Sequence, residues 1–164
     1  MPLSFHVFND PIYMDNGYVV HAEGDPGCWI IDPGLPPQGE EIVRFVREHS
    51  LAPRAIVLTH AHADHIAGID EVRDAFGPLD VYLAREEWAA LRDPMENLSG
   101  LIGLGFATRV TNPKDLPHGG AMELGATRWS VLDVSGHSPG GRALHCAAEG
   151  VVIVGDALFA GSVG

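Results

Sequence analysis

The sequence predicts an α/β fold in which two β-sheets pack together with helices outside them. The order of the elements is the first observation behind this. Short strands open the chain, helix and strand alternate through its middle, and more strands close it. The second is that Val57, Leu58, Val152 and Val154 sit in runs that are apolar on both faces, as in strands from the middle of a layered domain. The third is that 46% of the 164 residues are hydrophobic, enough for the core of one domain spanning 1–164.

Each element has its own signal. "LSFHVF", "GYVVHA" and "GCWIID" read as three strands, with turn signals "EGDPG" and "DPG" around the third, and predict an antiparallel meander. The stretch 36–51 predicts a helix, with Pro36 and Pro37 at its entrance and Ile42, Val43, Val46 and His49 near one face. "RAIVLT" is the next strand, and 64–77 predicts a helix closed by Gly77. "DVYLA" is a strand and "REEWAALR" a short helix. From Asp93 to Gly120, three prolines and five glycines predict a long loop with one short helix within it. "ATRWSVLDV" is a strand, and "GRALHCA" and "VVIVGD" form a hairpin across "AEG".

Composition narrows the function classes. The formal net charge of -12 repels a phosphate backbone, so nucleic acid is not an expected partner. No stretch approaches the roughly 18 apolar residues of a membrane span. The N-terminus has neither a basic opening nor a long apolar run, which predicts no signal peptide and a cytoplasmic protein. Cys28 and Cys146 share no motif spacing and are expected to be reduced core thiols.

The chemistry concentrates in "THAHADH", residues 59–65, where a buried strand gives way to a helix. His60 and His62 are two apart and project to the same side of an extended segment. Asp64 and His65 follow as the chain turns. Four nitrogen and oxygen donors in one loop suit zinc, manganese or iron rather than calcium or magnesium. Two more donors end apolar strands downstream: His137 in "VSGHSPGG" and Asp156 in "VVIVGDALF". Read alone, His137 is a turn histidine and Asp156 a helix cap. Read with the first loop, they become further metal donors.

In this order "THAHADH", "GHSPG" and "GD" resemble the metallo-β-lactamase superfamily, and the resemblance extends to "IDPG" at 31–34. "GDALFAGSVG" looks most like its glyoxalase II branch of thioester hydrolases. The resemblance implies an αββα sandwich with the site at one edge, between the sheets. It implies that His60, His62 and His137 hold a first metal, that Asp64 and His65 belong to a second, and that Asp156 bridges the two. It also implies one more histidine from a late loop, and no histidine follows His145. The expectation is therefore a chain lacking the last strands and helices of that fold, with a weaker second position.

Other residues receive plainer readings. His6, His21, His49, His118 and His145 are expected to be surface or structural histidines, and Trp29, Trp88 and Trp129 to be core. Asp32 is expected to hydrogen-bond loop backbone near the site, and Arg142 to be an exposed hairpin residue.

The first functional expectation is a metal-dependent hydrolase acting on a small-molecule ester-like bond. One or two zinc ions, or iron or manganese, would lower the pKa of a water from 15.7 to about 7. The resulting metal-held hydroxide would attack the carbonyl, with Asp64 orienting it and accepting its proton. An acylglutathione-like thioester follows from the resemblance. The same residues also fit a persulfide dioxygenase with one iron on His60, His137 and Asp156. A β-lactamase fits less well, because such enzymes are exported. The third reading is a catalytically silent, incomplete metal-binding domain.

Overall fold

A computed structural model describes residues 2–164. Strands β1 (Leu3–Asn9), β2 (Asn16–Ala22) and β3 (Gly27–Ile31) form the predicted antiparallel meander. Helix α1 (Gln38–Glu48) carries the chain over to β4 (Ala52–Val57), which runs parallel to β3. After α2 (Ala63–Ile66) and α3 (Ile69–Phe76), strand β5 (Asp80–Leu83) adds in parallel. The two-residue β6 (Lys114–Asp115) completes a six-stranded sheet in the order β1-β2-β3-β4-β5-β6.

The second sheet is antiparallel throughout. It comprises β7 (Ala121–Leu124), β8 (Thr127–Asp133), β9 (Arg142–Cys146) and β10 (Val151–Ile153), in the order β10-β9-β8-β7. A small hairpin, β11 (Leu158–Phe159) and β12 (Ser162–Val163), follows.

Strand alternation sorts the core into two layers. Val19, Ile30 and Ile56 face Ile42 and Val46 of α1, Ile66 of α2, and Ile69 and Val72 of α3. Their neighbours Val20, Trp29, Ile31 and Val57 face Trp129, Val131 and Leu144 of the second sheet. The first sheet is therefore apolar on both faces and lies between the helices and the second sheet. The second sheet buries one face, as the alternating exposure along β8 shows. Among the described residues, all three helices lie on the first sheet. Cys28 and Cys146 are free and buried, as expected.

Several expectations need correction. Val152 is 50% exposed, because it pairs with His145 on the outer face of the second sheet, whose other face carries the buried Ile153, Leu144 and Val131. The helix expected over 64–77 is broken into α2 and α3. At the break the Gly68 N–H donates to Pro33 O (2.6 Å), leaving the helical ladder. Residues 85–92 hold one 3-10 turn, Arg85–Glu87, followed by other turns. The long loop contains turns rather than a helix. It is anchored by the buried Asn97 side chain, which donates to Ala90 O and Phe106 O. Strand β7 has no signal in the sequence, because "AMEL" is too short to show a period.

Candidate metal centre

The site lies where strands of both sheets end. β4 ends at Val57, and Leu58 N–H donates to Tyr82 O to hold the exit against β5. The chain then passes through His60 and His62 into α2, which carries Asp64 and His65. His137 comes from the β8–β9 loop of the second sheet, and Asp156 from the 3-10 turn after β10. The Arg142 N–H donates to Thr59 O (2.8 Å) and joins the two sheets beside the centre.

The donors converge. Nδ1 of His62 lies 3.0 Å from Nε2 of His137. Asp156 reaches in two directions, with Oδ1 3.3 Å from Nε2 of His65 and Oδ2 3.5 Å from Nε2 of His137. Two atoms bonded to one tetrahedral zinc at about 2.1 Å lie roughly 3.4 Å apart, so these spacings are compatible with a shared ion. One set of donors within 4.8 Å of one another is His60, His62 and His137; another is His60, His65 and Asp156. Asp64 stands further back, its Oδ2 4.0 Å from Nε2 of His65.

Asp32 explains why the rings point as they do. It follows β3 in a left-handed backbone conformation (φ 47°) that turns its carboxylate back toward Thr59. Oδ1 accepts the Thr59 N–H (2.8 Å) and Oδ2 accepts the Thr59 hydroxyl (2.6 Å). With its proton given to Asp32, the Thr59 oxygen accepts from Nδ1–H of His60 (3.1 Å). Oδ2 also accepts from Nδ1–H of His65 (3.0 Å). One carboxylate thus fixes the tautomer of two histidines and turns both Nε2 lone pairs inward. Nε2 of His60 and Nε2 of His65 are buried without a hydrogen-bond partner. Buried polar atoms without partners are rare, and a metal ion satisfies both, so the donor set fits one.

Electrostatics agree with that fit at His60 and His62. Burial, reinforced by His65, His62 and His137, pushes the His60 pKa far below the ordinary value and keeps the ring neutral. Burial and His137 lower His62 as well. Burial also opposes protonation of His65, but Asp32 and Asp156 outweigh it and raise that pKa well above normal. For Asp156 burial acts upward, and the surrounding histidines, His65 foremost, bring the net shift down. A cleft of about 580 Å³ opens beside His65 and Asp156, walled by Tyr13, Tyr18, Leu158 and Phe159.

The sequence model of the Metallo-beta-lactamase superfamily matches residues 13–164. The chain belongs to that superfamily. A probable metallo-hydrolase of Bacillus subtilis is 38% identical over 85% of this chain and 65% of its own length. A hydroxyacylglutathione hydrolase of Vibrio cholerae is 27% identical over 94% of this chain and 51% of its own. The chain thus spans about half to two thirds of these curated relatives. Among solved structures, the BLEG-1 B3 metallo-beta-lactamase superposes with a TM-score of 0.86 and 34% identity, covering 99% of this chain and 75% of that one. TTHA1623 in a di-iron-bound form gives 0.80 and 31%, covering 97% and 75%. The superfamily fold binds divalent metals, and the histidine cluster described above lies at the strand ends of that fold.

Arg142 departs from expectation, and Glu87 is a buried residue for which the sequence carries no expectation. Arg142 is 4% exposed, not an exposed hairpin residue. Its guanidinium bonds both carboxylate oxygens of Glu86 (3.1 and 3.2 Å) and donates to Leu116 O (3.2 Å). Glu87, beside it, is buried against both histidine loops, and its sequence context carries no motif that marks it.

Proposed function

We propose that this chain is a metal-dependent hydrolase of a small-molecule ester-like bond, with a thioester such as an acylglutathione as the preferred substrate class. The observation that carries the reading is the convergence of inward-facing histidine nitrogens with a two-directional carboxylate. His60, His62 and His137 would hold one ion. His65 and Asp64 would serve a second, and Asp156 would span both. Zinc suits these donors, and iron or manganese suits them too. A bound ion of this kind supplies an acidified water at neutral pH and polarises a carbonyl.

The protein's own groups do the rest. Asp32 and Thr59 hold the rings in the tautomer that offers lone pairs. Asp64, on the first turn of α2 and 21% exposed at its side chain, would orient water and take a proton. The cleft beside Asp156 offers apolar and aromatic walls for an acyl group. The likeness to the Vibrio hydroxyacylglutathione hydrolase supports a thioester. A single domain working in the cytoplasm goes with this reading, and the free, buried Cys28 and Cys146 suit a reducing compartment.

The test is thiol release from an acylthioester by purified protein, with and without chelator. Release that chelator abolishes and added zinc, iron or manganese restores is the expected result. Oxygen consumption with a persulfide and no thioester cleavage would transfer the assignment to a dioxygenase. Metal uptake with neither activity would leave a silent binding domain.

A further inference from the structure

Glu87 lies on the 3-10 turn that follows β5, and it is 4% exposed. Its two carboxylate oxygens bond to two different loops. Oε2 accepts the N–H of Ala61, the residue between His60 and His62 (3.3 Å). Oε1 accepts the N–H of Gly140, three residues past His137 (2.7 Å). The first loop leaves the six-stranded sheet and the second joins two strands of the other sheet.

We infer that Glu87 is a positioning residue of the metal centre, a clamp that fixes the His60–His62 loop of one sheet to the His137 loop of the other. The inference rests on the proposed role of those three histidines as ligands. Burying a carboxylate is costly unless donors satisfy it, and here both oxygens are satisfied by backbone N–H groups that would otherwise be buried unpaired. Gly140 makes the approach possible. A Cβ there would stand 2.7 Å from Cγ of Glu87 and 3.0 Å from Cβ of Ala84. A glutamine keeps the size of the side chain but turns an amide N–H₂ toward one of the two donors, so it cannot hold both loops. Glu86 is the natural comparator. It reaches toward the second sheet as well, but to the guanidinium of Arg142 rather than to a histidine loop.

The experiment uses chelator-stripped wild type, E87Q, E87A and E86Q. Zinc affinity is measured by competition with a chromophoric chelator, and amide hydrogen exchange is followed in the stripped proteins. Zinc affinity should fall ten- to a hundredfold in E87Q and further in E87A, as for other residues that support ligands. The Gly140 amide should exchange at least tenfold faster in both, and E86Q should stay within twofold of wild type on both readouts. If E87A does not fold, E87Q, which conserves volume, carries the test. Zinc affinity within twofold of wild type in E87Q overturns the inference, as does unchanged Gly140 protection. Wild type that takes up no zinc refutes the ligand reading instead, and the Gly140 exchange then still decides whether the clamp exists.

Discussion

At the scale of single residues, Asp32 has the widest reach. Its carboxylate orients His65 directly and His60 through Thr59, so its loss should be felt by two donors at once. D32N should lower metal affinity ten- to a hundredfold, read by chelator competition, with the far-UV circular dichroism spectrum retained. Asp15 makes a separate prediction. Its side chain is buried, both oxygens lack partners, and burial raises its pKa from 3.8 to about 7. A carboxyl whose folded pKa is raised stabilises the fold fully at low pH and loses that contribution as pH rises through about 7. Metal-stripped D15N should therefore be more stable than wild type at pH 8, and the two should converge only below about pH 4, under the unfolded carboxyl's own pKa. Urea midpoints at the two pH values measure it, and an advantage that does not grow with pH would contradict it. Much of this scale was legible in the sequence. "THAHADH", His137 and Asp156 stand out because polar donors at the ends of apolar strands are unusual. Glu87 and Arg142 do not stand out. Their partners lie 53 and 56 residues away, and a buried charge cannot be told from an exposed one until its partner is placed.

At the scale of elements, the period-2 pattern of the strands was readable and the helix boundaries were less so. Residues 64–77 keep a helical apolar pattern across Gly68, yet the ladder breaks there because Pro33 O competes for the Gly68 N–H. That competitor is 35 positions upstream, beyond the reach of local pattern. The long loop lacks its expected helix for a related reason: the Asn97 side chain takes over backbone carbonyls, and turns suffice. The sheet-to-sheet contact depends on β8. Trp129 is fully buried, tilted against Trp29 at 5.7 Å between ring centroids, and its Nε1–H bonds the Thr127 hydroxyl. W129A should cost about 3–5 kcal/mol of unfolding free energy, from lost burial and the cavity left behind. Denaturant titration of metal-stripped protein checks this. A loss under about 1 kcal/mol would mean that the sheets are not held together there.

At the scale of the whole molecule, the two sheets bring together donors that lie up to 96 positions apart, from His60 to Asp156, and three clasps hold the seam. They are Arg142 N–H to Thr59 O, Glu87 to both histidine loops, and Asp156 between His65 and His137. The fold class followed from the order of elements, and the site edge from strand ends that carry donors. The balance between the two donor sets needed coordinates. Three imidazoles gather on one side, while the other side offers His65 and Asp156, with Asp64 set back. The first equivalent of zinc should therefore go to the three-histidine set. Nitrogen NMR of protein labelled at histidine, followed through a zinc titration of the stripped chain, reads this directly. The account predicts that Nε2 of His60, Nδ1 of His62 and Nε2 of His137 shift together over the first equivalent. His65 should follow at higher zinc, with His6, His21, His49, His118 and His145 unmoved. First-equivalent shifts confined to those five, or no shift at the three, would contradict it.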